Sequence, residues 1–261
     1  MKAKLYSKDG KAKGEVDLPG CFSSDPRPDI LLKVYEAQKG YFMQPYGSKP
    51  GAGAGYSASG ILKHRRHVWK TTYGRGISRI PRKIMARNGR SFTWIGATVA
   101  STRGGRRAHP PKSWKNLFRK INKKELRIAL ETGLRGTIDK EILKEKYGRE
   151  IQSGFIFDSK IIKTKTKDFL ATLKKVLKDS FDFALKKKKI RAGIGKMRGR
   201  KYKSNAGMLF IIGSKEEMKR KGIDVVKVNE LSVKDLSPNG VAGRLACYTE
   251  SAIKEIGERF K

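Results

Sequence analysis

The sequence predicts an α/β fold, in which helices cover a mainly parallel sheet and a long basic segment is inserted near the N-terminus. Beyond residue 136, short apolar runs alternate with stretches whose apolar residues recur at helical spacing. Runs such as Phe155–Phe157 and Met208–Ile212 are continuously apolar, which is typical of parallel strands covered on both faces. Composition indicates the insertion, since no acidic residue stands between Glu36 and Glu125.

The chain before the basic segment predicts a hairpin and a helix. Lys2–Tyr6 alternates weakly between polar and apolar residues, and a turn at residues 8–10 lets residues 14–18 pair back along it. Pro28 then opens a helix, because proline fits the first helical position, and Gly40 ends it.

The chain after the basic segment predicts alternating helices and strands, which right-handed crossovers connect by default. Two pairs, Asn122 with Glu125 and Ser214 with Glu217, have the spacing of a capping box, and Thr166 and Thr249 are further cap candidates. The predicted order is helix 122–134, helix 138–147, strand 154–157, helix 166–177, strand 206–212, helix 214–222, strand 223–228, strand 244–248 and a terminal helix from residue 249.

The charge of the chain indicates a polyanionic partner. In 261 residues, 61 Lys and Arg face 24 Asp and Glu, which gives a formal net charge of +37. Such an excess opposes compaction unless a polyanion neutralises it, and nucleic acid and anionic membrane are the usual ones. A membrane is the poorer partner, because the longest apolar run, Met208–Ile212, is too short to span a bilayer and no secretory leader opens the sequence.

The basic segment, residues 41–112, shows neither the helical nor the strand period for long. It is rich in glycine, and aromatic residues, among them Trp69, Tyr73 and Trp94, stand between its cations. Arg and Lys suit phosphates, aromatic rings stack on bases, and glycines allow close backbone approach. We therefore expect RNA or DNA to order this segment, in preference to its being a flexible tail.

A second basic cluster, residues 186–203, holds ten cations in eighteen positions directly before the most apolar strand. A solvated charge run or a nuclear-import-like patch is the plain interpretation. Glycines at 193, 195 and 199 instead favour a loop that follows a phosphate backbone.

Other chemistry finds little support. Cys21 and Cys247 cannot form a disulfide framework and lack zinc-site spacing, so they predict two buried thiols. His64 and His67 stand among cations without a carboxylate or thiol nearby, so phosphate or base contact is favoured over metal binding. The Gly193–Gly199 run departs from the dinucleotide-binding spacing.

Catalysis is equally unsupported by the sequence. All three histidines lie within the acid-free stretch, so no histidine–carboxylate pair stands beside a Ser or Cys nucleophile, and no Walker-type loop is present. We predict no catalytic residue, no cofactor and no metal.

Several motifs, taken in order, resemble the large-ribosomal-subunit protein L four family, in its archaeal and eukaryotic branch. The resemblance covers essentially the whole chain. It is carried by the motifs at residues 74–82, 103–112 and 195–202, with support from 18–22, 27–30, 243–245 and 249–252. The chain ends soon after the terminal helix, which favours the archaeal form.

The resemblance implies a three-layer α/β/α domain with a four-stranded parallel sheet, formed by residues 1–40 and 113–261. It implies that residues 41–112 are an extended loop that enters the ribosomal RNA and lines part of the nascent-peptide exit tunnel. Large-subunit rRNA, neighbouring proteins including the L twenty-two family, and the passing nascent peptide would be its partners, in the cytoplasm and without a membrane.

Candidate RNA-binding residues are basic positions along the arms of the loop and in the second basic cluster: Lys63, Arg65, Arg66, Lys70, Arg103, Arg106, Arg107, Lys112, Lys196, Arg198, Arg200 and Lys201. The resemblance places the loop tip within residues 73–94, with the cations Arg75, Arg79, Arg82, Lys83, Arg87 and Arg90. In one departure, residues 91–96 are apolar and aromatic where the family carries more glycine. The alternative function is a free-standing nucleic-acid-binding or RNA-chaperone protein with a mobile basic arm.

Overall fold

A computed structural model describes residues 1–58, 72–89 and 91–260. The chain divides into two compact units. The α/β unit comprises residues 1–42 and 118–260, and the inserted unit comprises the described part of residues 43–117.

The helices and strands follow the chain in this order: β1 Lys2–Tyr6, β2 Ala12–Asp17, α1 Pro28–Gly40, β3 Arg82–Asn88, β4 Ser91–Gly96, α2 Lys123–Gly136, α3 Lys140–Tyr147, β5 Phe155–Phe157, α4 Thr166–Leu177, α5 Phe181–Ala184, β6 Lys188–Ile190, β7 Tyr202–Ser204, β8 Leu209–Ile212, β9 Asp224–Lys227, α6 Val233–Leu236, β10 Ala246–Thr249 and α7 Glu250–Arg259.

The α/β unit is a mixed α/β structure built on a mainly parallel sheet, as its apolar runs predict. The strand order is β2-β1-β5-β10-β8-β9, with β2 antiparallel to β1 and the other neighbours parallel. The sheet therefore has six strands, not the four that the family resemblance implies. The two extra strands are β1 and β2, which form the N-terminal hairpin. This hairpin joins the sheet through β1, whose Leu5 lies opposite Ile156 of β5.

The sheet separates two apolar cores, because successive side chains of each buried strand point to opposite faces. Leu209 and Ile211 of β8 pack with α1, α2, α6 and α7, whereas Phe210 and Ile212 pack with α4 and α5. In β10, Tyr248 belongs to the first core and Cys247 to the second. Helices on both faces explain why these strands read as continuous apolar runs.

Helix ends follow the local chemistry that the sequence predicts in several places. Pro28 occupies the first turn of α1. Gly148 ends α3 with φ 68°, a left-handed conformation that suits glycine. The hydroxyl of Thr249 caps α7 by accepting from the Ala252 amide at 3.3 Å. The predicted helix 138–147 begins two residues later, where the Asp139 carboxylate accepts from the Glu141 amide at 3.0 Å.

The predicted helix at residues 214–222 does not form, and this segment is a turn followed by irregular chain. The Ser214 amide and hydroxyl both donate to the Glu255 carboxylate, at 2.8 and 2.6 Å. The Glu216 carboxylate accepts from the Gly213 amide and the Thr249 hydroxyl, each at 2.8 Å. The bond to Glu255 thus engages the Ser214 hydroxyl, which the predicted helix cap would need.

Two other predicted caps are wrong. Asn122 precedes α2 without a side-chain cap bond, and Glu125 instead pairs with Lys33 at 2.8 Å. Thr166 lies inside α4, after the N-cap residue Lys165, and its hydroxyl accepts from the Arg220 guanidinium at 2.8 Å.

The inserted unit contains regular structure where the sequence predicts none. Strands β3 and β4 form an antiparallel hairpin whose register runs from Arg82 opposite Gly96 to Asn88 opposite Ser91. A bulge at Met85 interrupts the pairing. In β4, Phe92 and Trp94 are partly buried and their neighbours are mostly exposed. The apolar and aromatic run 91–96 is therefore the second strand of the hairpin, with Phe92 and Trp94 on its more buried face.

Candidate nucleic-acid interface

The inserted unit has no carboxylate with which its cations could pair. Arg82 is buried nevertheless, and its guanidinium donates to the Ser78 carbonyl at 2.6 Å, the Ser78 hydroxyl at 2.8 Å and the Ile80 carbonyl at 3.3 Å. The same group lies 5.5 Å from the centre of the Trp94 ring. Arg82, predicted as a tip cation, thus closes the turn that leads into β3 and is not free to bind an external ligand.

Other predicted tip cations lie nearer the surface and use aromatic rings. The exposed Arg79 guanidinium stands 4.7 Å from the Tyr73 ring centre, and the Lys83 ammonium 4.4 Å from the Tyr56 ring centre. Such stacking leaves the charge in place, because a ring supplies a weak attraction and no counter-ion. Arg75 and Arg87 are also exposed, and the Arg87 side chain donates to the Gly89 carbonyl at 3.0 Å.

Glycines in this unit let one stretch of backbone approach another. A Cβ on Gly53 would lie 2.6 Å from Arg106 Cα, and a Cβ on Gly105 would lie 2.0 Å from the Val99 carbonyl oxygen. From the sequence we expect the glycines of this segment to allow backbone approach to nucleic acid. In the structure, Gly53 and Gly105 instead allow close packing within the unit. The cations beside this contact stay at the surface: Arg103, Arg106, Arg107 and Lys112.

The second basic cluster is a hairpin in the α/β unit. Strands β6 and β7 pair antiparallel, and a turn over residues 193–197 stands between them. Backbone bonds fix the base of this connection, with the Arg191 amide donating to the Lys201 carbonyl at 2.8 Å. Four predicted RNA-binding side chains project from the connection and are exposed: Lys196, Arg198, Arg200 and Lys201.

Five predicted site residues lie outside the described part of the chain: Lys63, Arg65, Arg66, Lys70 and Arg90. His64, His67 and Trp69 lie outside it too.

The two thiols are buried, as predicted from their isolation in the sequence. Burial raises the pKa of Cys21 to about 11 and raises that of Cys247 further from its ordinary range. Both are therefore protonated and unreactive at neutral pH. Within residues 1–58, 72–89 and 91–260, no group of His, Cys, Asp and Glu side chains could hold a metal ion, and no helix is long and apolar enough to cross a bilayer.

Sequence reasoning missed one group of cations that the structure brings together. Arg149 precedes β5, far along the chain from the second basic cluster, yet it lines the same cleft as Lys187, Lys189 and Lys203. Lys187 and Lys189 stand two positions apart, which is the spacing of residues on one face of a strand, and Lys203 lies opposite Lys189 in the hairpin. Nothing in the sequence indicates Arg149.

The fold and its exposed cations define a basic α/β protein suited to contact with a polyanion. The chain belongs to the ribosomal protein L4/L1 family, whose model matches residues 16–259. Curated relatives named large ribosomal subunit protein uL4 align along nearly their full length. The one from Methanocaldococcus jannaschii is 36% identical over 100% of both chains, and that from Nanoarchaeum equitans is 34% identical over 99% of this chain and 98% of its own. Thermoplasma acidophilum has a relative that is 36% identical over 98% of both.

Proposed function

We propose that the chain is a structural constituent of the large ribosomal subunit, without catalytic activity, and that it binds large-subunit rRNA. The observation that carries the proposal is the end-to-end match to archaeal relatives that bear the large-subunit name. The net charge of +37 fits such a partner, because a protein held among phosphates can keep cations that would destabilise a free one.

The α/β unit would anchor the protein, and two exposed sets of cations would contact RNA. One set lies on the β6–β7 connection and the other in the inserted unit, around Arg103, Arg106 and Arg107. Neither set is neutralised within the described chain, since the inserted unit has no carboxylate and no ion pair joins Lys196, Arg198, Arg200 or Lys201 to an acid of the described residues.

The inserted unit would reach the nascent-peptide exit tunnel beside a protein of the L twenty-two family, as the family resemblance implies. The β3–β4 hairpin supports the proposal, because a paired hairpin holds its turn at a defined distance from its base. Arg79, Lys83 and Arg87 would then shape a positively charged stretch of tunnel wall. Arg82 would hold the hairpin base.

Sedimentation tests the ribosomal assignment. Native protein in an extract should travel with large subunits and leave them in high salt, whereas a free-standing RNA chaperone would stay near the top of the gradient. In binding to isolated large-subunit rRNA, removal of three cations in Arg198→Ala, Arg200→Ala, Lys201→Ala should flatten the slope of log affinity against log salt by about two to three units. An unchanged slope would assign the three residues to a solvated face.

A second experiment tests whether the hairpin cations shape the tunnel wall while Arg103, Arg106 and Arg107 anchor the unit in RNA. Arg79→Glu with Arg87→Glu should leave incorporation into subunits intact and change the pattern of translational pausing in ribosome profiling. Arg103→Glu, Arg106→Glu and Arg107→Glu together should impair incorporation. Equal loss of incorporation in both variants would show that the hairpin cations anchor RNA as well.

The alternative, a free-standing protein with a mobile arm, is not favoured. The inserted unit is joined at both ends to the α/β unit, and α1 and α2, which flank it in sequence, pack against each other. An element fixed at both ends suits a permanent assembly better than a searching arm.

A further inference from the structure

A basic cleft of ≈ 620 Å³ opens in the α/β unit at the base of the β6–β7 hairpin. Its walls include Arg149, Phe183, Lys187, Lys189, Lys203 and Asn205. The volume lies within the roughly 300–1,000 Å³ of sites that bind small organic ligands, and is larger than a lone phosphate requires.

The register of the hairpin places like charges directly opposite each other. Lys189 of β6 pairs with Lys203 of β7, so the two side chains leave the same face. Like charges at opposed positions of an antiparallel pair destabilise it. The arrangement persists at a cost in the free protein, and a bound anion between the two ammonium groups would remove that cost.

Within the described chain, the cleft does not supply this anion itself. Its one carboxylate, Asp182, is exposed and pairs with Lys187 at 3.3 Å. No ion pair joins Arg149, Lys189 or Lys203 to an acid of the described residues. Three cations therefore face the cleft without a counter-ion.

An apolar wall stands beside these cations. Phe183 is half-buried, and its ring is held 5.1 Å, centre to centre, from the ring of Tyr147. The Asn205 amide fixes the adjacent backbone, since its oxygen accepts from the Lys187 amide at 2.7 Å and its nitrogen donates to the Leu185 carbonyl at 3.2 Å. These contacts hold Phe183 and the adjacent backbone in place at a wall where a flat ring could lie.

We propose that this cleft binds a single unpaired nucleotide of RNA. Lys189, Lys203 and Arg149 hold its phosphate, and Phe183 receives its base. The inference rests on the proposed function, which makes RNA the partner, and adds a specific subsite for a nucleotide that has left its helix. Duplex RNA would offer phosphates to the cations but no base to the ring.

The test compares Lys189→Met with Lys203→Met, as a double variant, against Lys188→Met in the full chain. Methionine keeps the apolar stem of lysine without its charge, and Lys188 belongs to the same strand but to its other face. The probe is a labelled single-stranded oligoribonucleotide of about eight nucleotides, within the usual range of single-strand sites. We expect the double variant to bind it about tenfold more weakly than wild type, and Lys188→Met to bind within twofold of wild type.

The melting temperature of the RNA-free protein separates binding from structure. Because the double variant loses a like-charge pair, its melting temperature should stay the same or rise while its affinity falls. A drop in both would assign the lysines a structural role and overturn the inference. Equal affinities for the double variant and Lys188→Met would overturn it as well.

Competition shows whether the base takes part. Adenosine monophosphate should displace the probe at least about tenfold more effectively than inorganic phosphate, in keeping with the contribution of one stacked base. Phe183→Leu should abolish that advantage while leaving duplex binding unchanged. Equal competition by the two ligands in wild type would reduce the cleft to a phosphate contact and contradict the nucleotide assignment.

The outcomes distinguish this inference from the ribosomal one. A protein that sediments with large subunits yet shows no cleft effect would retain its proposed function and lose this subsite. A protein that does not sediment with large subunits even at low salt, yet binds the oligoribonucleotide through the cleft, would keep this subsite and lose the proposed ribosomal function.

Discussion

The two units each bury an arginine, and they satisfy it in different ways. In the α/β unit, Arg244 donates to the carbonyls of Gly207, Asp235 and Ala206 at 3.0, 2.7 and 2.7 Å, and to the Asp224 carboxylate at 2.6 Å. In the inserted unit, the partners of Arg82 among the described residues are the carbonyls and hydroxyl of residues 78–80 and the Trp94 ring. The Arg244 guanidinium has a carboxylate counter-ion within its own unit, whereas the Arg82 guanidinium has only neutral partners in the part of the chain that the structure describes.

This difference shows how one chain can be both stable and strongly basic. Asp224 also binds Lys186 at 2.5 Å, so one acid in the α/β unit serves two cations. The inserted unit does without acids and uses neutral partners that fix cation geometry but leave the field outside it positive. We therefore expect the first unit to fold by itself and the second to depend on an external anion.

Removing the neutralised arginine should have the largest effect. Arg244→Met leaves three buried carbonyls unpaired, so we expect the α/β unit to lose about 3 kcal/mol of unfolding free energy. Urea denaturation measures it. Lys254→Met, which breaks the exposed pair with Glu250, is the control and should cost less than about 0.5 kcal/mol. A loss below about 1 kcal/mol for Arg244→Met would show that its carboxylate partner gives Arg244 no larger role in stability than Arg82 has.

Removing the other arginine should act locally. In Arg82→Met the turn at residues 78–82 loses its donors, so amide exchange in β3 and β4 should accelerate by about tenfold, the equivalent of ~1.4 kcal/mol. The melting temperature of the α/β unit should stay the same. Arg79→Met, which removes an exposed cation from the Tyr73 ring, should leave exchange nearly unchanged. A global loss of stability in Arg82→Met would show that the units fold together.

Acid should weaken the α/β unit through Asp224. Burial alone would raise the pKa of this carboxyl, but hydrogen bonds from Lys186 and Arg244 outweigh it and hold the pKa below its ordinary value. Its contribution is therefore complete above the ordinary aspartate pKa, near ~4, and is lost as pH falls through the lower folded value. Asp224→Asn should remove this part of the pH dependence of the melting temperature.

Asp29→Asn is the matched control for the acid experiment. Its partner Arg27 donates two hydrogen bonds, at 3.1 and 2.8 Å, and that side chain lowers the pKa of Asp29 to about 2. Both groups are exposed, however, so the change should leave the acid branch of the melting curve nearly as in wild type. An equal change in the acid branch for Asp224→Asn and Asp29→Asn would show that Asp224 contributes no more to acid sensitivity than an exposed carboxylate does.

Replacing the insertion should have the smallest effect on the α/β unit. With residues 41–112 exchanged for a short Gly/Ser linker, the cores on both faces of the sheet remain. Closure entropy changes by only about 0.6 kcal/mol per doubling of loop length. Circular dichroism should show a cooperative melt close to that of the full chain, and a molten product would mean that the insertion contains part of the core.

Sequence patterns predict the elements whose stability comes from burial, and fail where tertiary bonds decide. The apolar runs predict β5 and β8 correctly, because helices cover both faces of the sheet and every residue of these strands is buried. Ser214 resembles a helix cap, but Glu255, forty-one positions later, takes its hydroxyl. No local rule could show that.

The inserted unit shows a second kind of failure. The alternation of Phe92 and Trp94 with exposed neighbours is a strand signal, but the surrounding cations and glycines suggested an irregular chain. Arg82 looks the same in sequence as Arg79, and only the fold reveals that one is buried and the other exposed. Residue type predicts the charge of the surface, and packing decides which charges reach it.

The position of β10 has a consequence for biosynthesis. This strand is the last to be made, yet it lies between β5 and β8 at the centre of the sheet. Until it leaves the ribosome, the N-terminal hairpin with β5 and the pair β8–β9 have no strand to join them, so the α/β unit cannot close. The whole basic segment is by then long synthesised. The nascent chain therefore exposes its basic, acid-free segment before the sheet is complete, and we expect a chain that terminates ahead of Ala246 to be a polycation without a closed sheet.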